Sequence, residues 1–228
     1  MLASAAALFL AAAAAETPAS AVAPAAADAR PGRGDRGSGP EARGGAPLVD
    51  AAARLPGALL DIRYASTRNL TGRPLYPAAR CLLLPGPAER LVRAAARLSR
   101  QGYRVVLHDC YRPLSVQRAL WAAMPKVGFV ADPATGSHHN RGAAVDLSLA
   151  DAAGRPVEMP TAYDAFEPRA RAGATAGIGP AALRNRRALR RAMEAEGFRV
   201  NPAEWWHFDA PEAAGAPLLD LPLVERPR

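Results

Sequence analysis

Apolar and polar positions recur with two periods along this chain, and the switches between them mark the elements. From Ala143 to Leu149, Val145, Leu147 and Leu149 fall on one side of an extended chain and Ala144, Asp146 and Ser148 on the other, which predicts a strand. Tyr103-Arg104-Val105-Val106-Leu107-His108-Asp109 predicts another by its β-branched content, and Leu59-Leu60-Asp61-Ile62-Arg63-Tyr64 alternates weakly as a third. Helical spacing takes over from Ala88 to Gln101, where Leu91, Ala94, Ala95 and Leu98 line up between Pro87 and the stop at Gly102. Pro113, Val116, Leu120 and Met124 open a second helix. Leu183 to Glu196 forms a third, with Leu189 and Met193 on its apolar face and Gly197 ending it. The mixture predicts an α+β fold in a single domain.

One polar residue breaks the strand pattern. Asp146 sits inside an apolar run, and a buried carboxylate without a cation is driven to neutralise. His138 and His139, just before the Asn140-Arg141-Gly142 turn, compete to share that cation, and spacing does not choose between them. Downstream, Glu204-Trp205-Trp206-His207-Phe208 adds one imidazole and one carboxylate. Three of the four histidines of the chain lie in these two stretches. Two His and one Asp suffice for a catalytic zinc site, which keeps a fourth position open. In a strand Glu204 and His207 would face opposite ways, so Glu204 is expected at the strand mouth, as a base beside the metal. Asp109 and Arg112 flank a strand-to-helix corner, and in so Arg-rich a chain they read as a surface ion pair of little worth. Tyr64 suits the core or a pocket equally well.

Composition sets the frame. At 228 residues the chain fits one domain plus appendages. Met1 to Ala15 is an uncharged Ala/Leu/Phe run followed by small residues, so residues 1–21 resemble a secretory signal peptide, though no basic residue precedes the run. Residues 22–46 are rich in Ala, Pro, Gly and Arg without periodicity and read as a disordered linker. Residues 47–228 are then the folded domain, long enough to bury roughly 70% of its unfolded surface. No stretch is long and apolar enough for a membrane span. The leader predicts an exported, periplasmic protein; without it the protein would be cytoplasmic. The net charge of +8 is carried almost wholly by Arg, and no basic stripe is interleaved with aromatics, so a nucleic-acid partner is not expected. Cys81 and Cys110 are equally compatible with a disulfide and with two buried thiols.

Asp61-Ile62-Arg63-Tyr64-Ala65 with Asn69-Leu70-Thr71-Gly72, Asp109-Cys110-Tyr111-Arg112-Pro113, Ser137-His138-His139-Asn140-Arg141-Gly142-Ala143-Ala144-Val145-Asp146, Met159-Pro160-Thr161 with Asp164, and Glu204-Trp205-Trp206-His207 occur in that order. Together they resemble the zinc D-alanyl-D-alanine dipeptidases of the VanX type, within the wider group of D-Ala-D-Ala carboxypeptidases and hedgehog-like zinc folds. The resemblance covers nearly all of residues 50 to 210. It implies a small antiparallel sheet that carries one Zn2+, with helices flanking it. By the family pattern His139, Asp146 and His207 hold the zinc, Glu204 is the general base, and Arg112 stabilises the oxyanion. Tyr64 and Asp164 would hold the free amine of a small dipeptide, and Ser137 its carboxylate end. Pro160 stands where the family usually has Gly, so the Asp164 loop is expected to sit differently. The resemblance implies hydrolysis of D-Ala-D-Ala, for cell-wall turnover or glycopeptide resistance. It leaves two rivals: a D,D-carboxypeptidase or endopeptidase acting on longer stem peptides, and a non-catalytic zinc-stabilised wall-binding module.

Overall fold

The structure, a computed structural model, describes residues 48–125 and 130–224. All of these belong to one compact unit, Ala42–Arg228. The expected leader (1–21) and linker (22–46) lie outside the described residues. In chain order the elements are β1 (Val49–Asp50), β2 (Leu59–Leu60), β3 (Leu82–Leu83), α1 (Pro85–Ser99), β4 (Tyr103–Asp109), α2 (Leu114–Ala123), β5 (Ala144–Asp151), α3 (Pro180–Glu194), β6 (Arg199–Val200) and β7 (His207–Asp209). Five strands form one sheet in the order β2-β4-β5-β7-β6, and β1 pairs with β3 as a separate ribbon. The pairings are antiparallel except at one edge, where β2 runs parallel to β4.

The helices form where the spacing predicts them, but α1 and α3 each start three residues early. Both open on proline, which fits a first helical turn because its missing N–H would have no partner there anyway. Met124 caps α2 instead of extending it. The weakly alternating third strand is shorter than expected. Only Leu59 and Leu60 join the sheet, and the chain then turns through a 3-10 segment, Arg63–Ala65, that buries Tyr64. Asp61 accounts for the break, since its carboxylate accepts from Arg63 Nε at 2.9 Å, a local bond that competes with extended pairing.

Helix α1 packs on β4 and on α3, and α3 packs on β5. Their apolar faces (Leu91, Ala94 and Leu98; Leu189, Ala192 and Met193) join Val145, Leu147 and Leu149 in one buried core. Each large side chain buried there stabilises the fold by about 1.5–3 kcal/mol. The opposite face of β5, carrying Ala144, Asp146 and Ser148, is left to the loops. Among the described residues no helix is long and apolar enough to cross a membrane.

The two cysteines are bonded, with Cα atoms 5.1 Å apart across a separation of 29 residues. The bond ties β3 to the end of β4. Closing a loop of that length is worth about 3–4 kcal/mol through the unfolded chain. A Cys81→Ala/Cys110→Ala variant, or the reduced protein, should therefore melt roughly 10 °C lower by circular dichroism. An unchanged melting temperature would show that the bond adds nothing beyond the core.

Candidate active site

Strand register builds the centre. Across the sheet Asp109 on β4 pairs with Asp146 on β5, and Asp146 pairs with His207 on β7, so the three lie in one row. Asp109 reaches that row through a bulge. Leu107 pairs with Leu147, but the next partner of β5, Asp146, meets Asp109 because His108 is the extra residue. Without the bulge, strict alternation would send Asp109 to the same face as Leu107, into the core; bulges commonly re-aim a side chain in this way.

His139 arrives from the turn before β5. Ser137 caps a short 3-10 segment, His138–Arg141, its hydroxyl oxygen accepting from His139 N at 3.3 Å while Ser137 N donates to Asn140 Oδ1 at 2.7 Å. Gly142 closes the turn at φ +65°, and a Cβ there would lie 2.6 Å from Leu48, so only glycine suits it. The two histidines then part. His139 is buried beside Asp146, whereas half-exposed His138 pairs with Asp209 Oδ1 at 2.8 Å.

His139 Nε2, His207 Nδ1 and Asp146 Oδ1 converge, with separations of 3.1 Å between the two nitrogens and 3.2 and 3.0 Å from each to the oxygen. Their outer partners fix the proton positions. His139 Nδ1 faces the Cys110 carbonyl at 2.7 Å and His207 Nε2 faces Asp209 Oδ1 at 2.8 Å. Both partners only accept, so those nitrogens carry protons, and in the neutral rings the inward ones carry lone pairs. Asp146 Oδ2 accepts from Tyr163 Oη at 2.9 Å, while Oδ1 is buried with no hydrogen bond among the described residues. In that form three lone pairs crowd together, and a divalent cation resolves that; without one, against the effect of burial, Asp146 and Asp209 raise the His207 pKa and favour a second proton on that ring. Donors bonded at about 2.0–2.1 Å to a tetrahedral ion sit roughly 3.3 Å apart. The cluster can therefore hold a metal ion.

A cavity of about 430 Å3 opens beside the cluster. All eight residues singled out in the sequence line it: Tyr64, Arg112, Ser137, His139, Asp146, Asp164, Glu204 and His207. Glu204 precedes β7 in a turn. Its Oε2 accepts from Asn201 at 3.2 Å and lies 3.8 Å from His207 Nδ1. Burial raises its pKa, and the Asp146 charge adds to that against the pull of His207. Asp164 is half-buried, takes the left-handed conformation (φ +59°), and accepts no hydrogen bond among the described residues. Burial, reinforced by Asp146, pushes its carboxyl up to about 7.

The Asp109–Arg112 pair departs from expectation. It is buried rather than superficial, with Arg112 Nε and Nη2 donating to Asp109 Oδ2 at 3.0 and 2.7 Å. Arg112 Nη1 donates to Gln117 at 2.8 Å, and the guanidinium stacks 4.9 Å from the centre of the Tyr64 ring. Tyr76 Oη holds the other Asp109 oxygen at 2.8 Å. A fork with five N–H groups keeps two for the cavity. Tyr64 is thus both core and pocket.

Contributors absent from the sequence-derived set include Gln117, Tyr163, Asp209 and the Cys110 carbonyl. Asp209 carried a usable signal, because position i+2 on a strand shares a face with His207. Nothing in spacing marks the others.

The family model described as D-ala-D-ala dipeptidase, in peptidase family M15, matches residues 45–226. A D-alanyl-D-alanine dipeptidase of Escherichia coli K12 is 38% identical over 172 residues, 75% of this chain and 89% of that protein. Proteins of the same name from Enterococcus faecalis and Enterococcus faecium are 33% and 32% identical, over 68% and 65% of this chain and 86% and 83% of theirs. The buried three-donor cluster and these matches together place the chain in the D-ala-D-ala dipeptidase family of M15 peptidases.

Proposed function

We propose that the protein hydrolyses the dipeptide D-Ala-D-Ala to two D-alanines with zinc bound by His139, Asp146 and His207. The observation that carries this reading is a cavity lined both by the metal-competent cluster and by Asp164, a carboxylate without a hydrogen-bond donor among the described residues. A free ammonium is the group that matches Asp164, and the relatives are named for the dipeptide that carries one beside a nearby amide.

The side chains divide the work. Asp164, beside Tyr64, anchors the amine. The Ser137 oxygen accepts from His139 N, so its own proton is left for the substrate carboxylate. A bound zinc ion supplies a Lewis acid that acidifies water and polarises the amide carbonyl. Glu204 accepts the proton of the attacking water and delivers it to the departing amine, a task its raised pKa suits. Arg112 meets the developing oxyanion with the two N–H groups that Asp109 and Gln117 leave unused. Because that contact strengthens as charge develops, it raises turnover rather than affinity alone. With residues 1–21 as leader, 22–46 as linker and 47–228 as catalytic domain, the enzyme would act in the periplasm on cell-wall dipeptide. The Cys81–Cys110 bond supports an oxidising compartment.

D-alanine release by the full chain with zinc, from D-Ala-D-Ala and from N-acetyl-D-Ala-D-Ala, tests the reading. The free dipeptide should be cleaved and the acylated one should not, and Glu204→Ala should lose about 10³-fold in kcat/KM while retaining zinc. Preference for the acylated peptide would make the enzyme a carboxypeptidase, and full activity in Glu204→Ala would remove that residue from the mechanism.

Asp164 gives a pH signature. In the metal-free protein its carboxyl should titrate near 7, neutral below and charged above. A divalent cation offsets the Asp146 charge that helps raise it, so zinc should move the midpoint down. Carbon-detected NMR of labelled aspartate follows both, and a midpoint near 4 without metal would contradict the environment described.

A further inference from the structure

Tyr163 is one peptide bond from Asp164 and reaches the metal cluster itself. Its hydroxyl donates to Asp146 Oδ2 at 2.9 Å, which leaves Oδ1 facing His139 and His207 with no other partner among the described residues. The tyrosine thereby assigns the two carboxylate oxygens of Asp146 to different tasks. The ring is held from several sides. It stacks on His108 with centroids 4.6 Å apart and planes 25° off parallel, meets Trp206 edge-on at 5.5 Å, and has the Arg63 guanidinium 5.5 Å from its centre. His108 is itself fixed, by Ser148 Oγ at 2.8 Å and by Asp61 Oδ2 at 3.5 Å. His108 is also the extra residue of the β4 bulge, so the feature that turns Asp109 toward Asp146 also sets the platform under Tyr163.

The next residue depends on this anchor. Asp164 adopts φ +59°, a left-handed conformation uncommon outside glycine but open to Asp. Its carboxylate has no hydrogen bond among the described residues to hold it, so the constraint comes from the backbone on either side. On the N-terminal side that constraint is the buried Tyr163 ring.

We propose that Tyr163 is a positioning residue with two separable functions: its hydroxyl orients Asp146 for the metal, and its ring fixes the distance from the metal to Asp164 and so the preference for a free dipeptide. The second function rests on the dipeptidase reading above; the first does not. Hydrogen-bonded partners of metal ligands commonly govern affinity by 10–100-fold. The ring needs only its shape and stacking to place Asp164.

The two functions separate in two variants of the full chain. Tyr163→Phe keeps the ring and loses the bond. Zinc affinity, measured on the metal-stripped protein by chelator competition without substrate, should weaken at least about 10-fold. At saturating zinc its KM for D-Ala-D-Ala and its ratio of free to N-acetylated dipeptide cleavage should stay near wild type. Tyr163→Leu loses both, so zinc affinity should fall similarly, KM should rise, and the preference for the free dipeptide should shrink. A merely structural tyrosine would lower the melting temperature without splitting these readouts. Wild-type zinc affinity in Tyr163→Phe overturns the first function, even if the leucine variant fails to fold. Equal loss of selectivity in both variants overturns the second. If the wild type cleaves neither peptide while the zinc measurement behaves as described, the substrate reading has failed and the role of Tyr163 toward the metal stands.

Discussion

A single buried carboxylate sets the terms for this molecule. Asp146 lies in the middle of a strand whose other face is core, almost fully shielded from water. An ionised group there is costly unless its oxygens are satisfied. One oxygen accepts a hydrogen bond from a phenol, and the other is aimed at two imidazole nitrogens. The partners that fix this arrangement come from separate parts of the chain: the Cys110 carbonyl at the end of β4 accepts from His139, Tyr163 in the loop after β5 donates to Asp146, and Asp209 on β7 accepts from His207. No local segment contains the site, so it exists only when the sheet has closed. Metal binding and folding must therefore be linked, each stabilising the other.

The cavity is more tightly hydrogen-bonded around Arg112 than around Asp164. Arg112 is gripped by Asp109, Gln117, the Tyr64 ring and the backbone of the His139 turn. Gln117 in turn donates to the Ala131 carbonyl, which ties α2 to the far wall. Fixed donors need little reorganisation when an oxyanion forms, which is what makes such electrostatic stabilisation effective. Asp164 is held instead through its backbone, and Trp205 Nε1 steadies the same loop by donating to Thr161 Oγ1 at 2.9 Å. Glu204 sits on the neighbouring turn, so the Trp205–Thr161 bond links the Glu204 turn to the Asp164 loop.

The sequence carried much of this, and its limits have physical causes. Period two along β5 exposed Asp146 as the misplaced charge, and helical spacing found α1, α2 and α3 to within a few residues. Ligand chemistry narrowed the metal set to two histidines and an aspartate, with His138 and His139 tied; only the resemblance separated them, and the structure puts His139 in the cluster. Other features depend on three-dimensional register. The bulge at His108 inverts the facing of Asp109 and converts an expected surface pair with Arg112 into a buried one, and alternation cannot foresee an inserted residue. Pairing of Cys81 with Cys110 depends on a Cα separation that spacing does not contain. Tyr163 was invisible for a similar reason: its partner lies 17 residues away on another element, and its neighbour Asp164 drew the attention.

The balance of charge gives a separate reason why this cavity requires a cation. The chain as a whole is strongly basic, yet among the described residues Asp146, Asp164, Glu204 and Asp209 line the cavity with two arginines, Arg112 and Arg199, and three histidines. Arg112 is already committed to Asp109. The excess shows in the individual groups. Burial raises the pKa of both Asp164 and Glu204, and the Asp146 charge raises each further. Asp209 goes the other way: burial works against its ionisation, but bonds from His138 and His207 hold its carboxyl low. A divalent ion held by His139, Asp146 and His207 would offset the Asp146 charge that raises both carboxyls, so metal binding would make Asp164 easier to ionise.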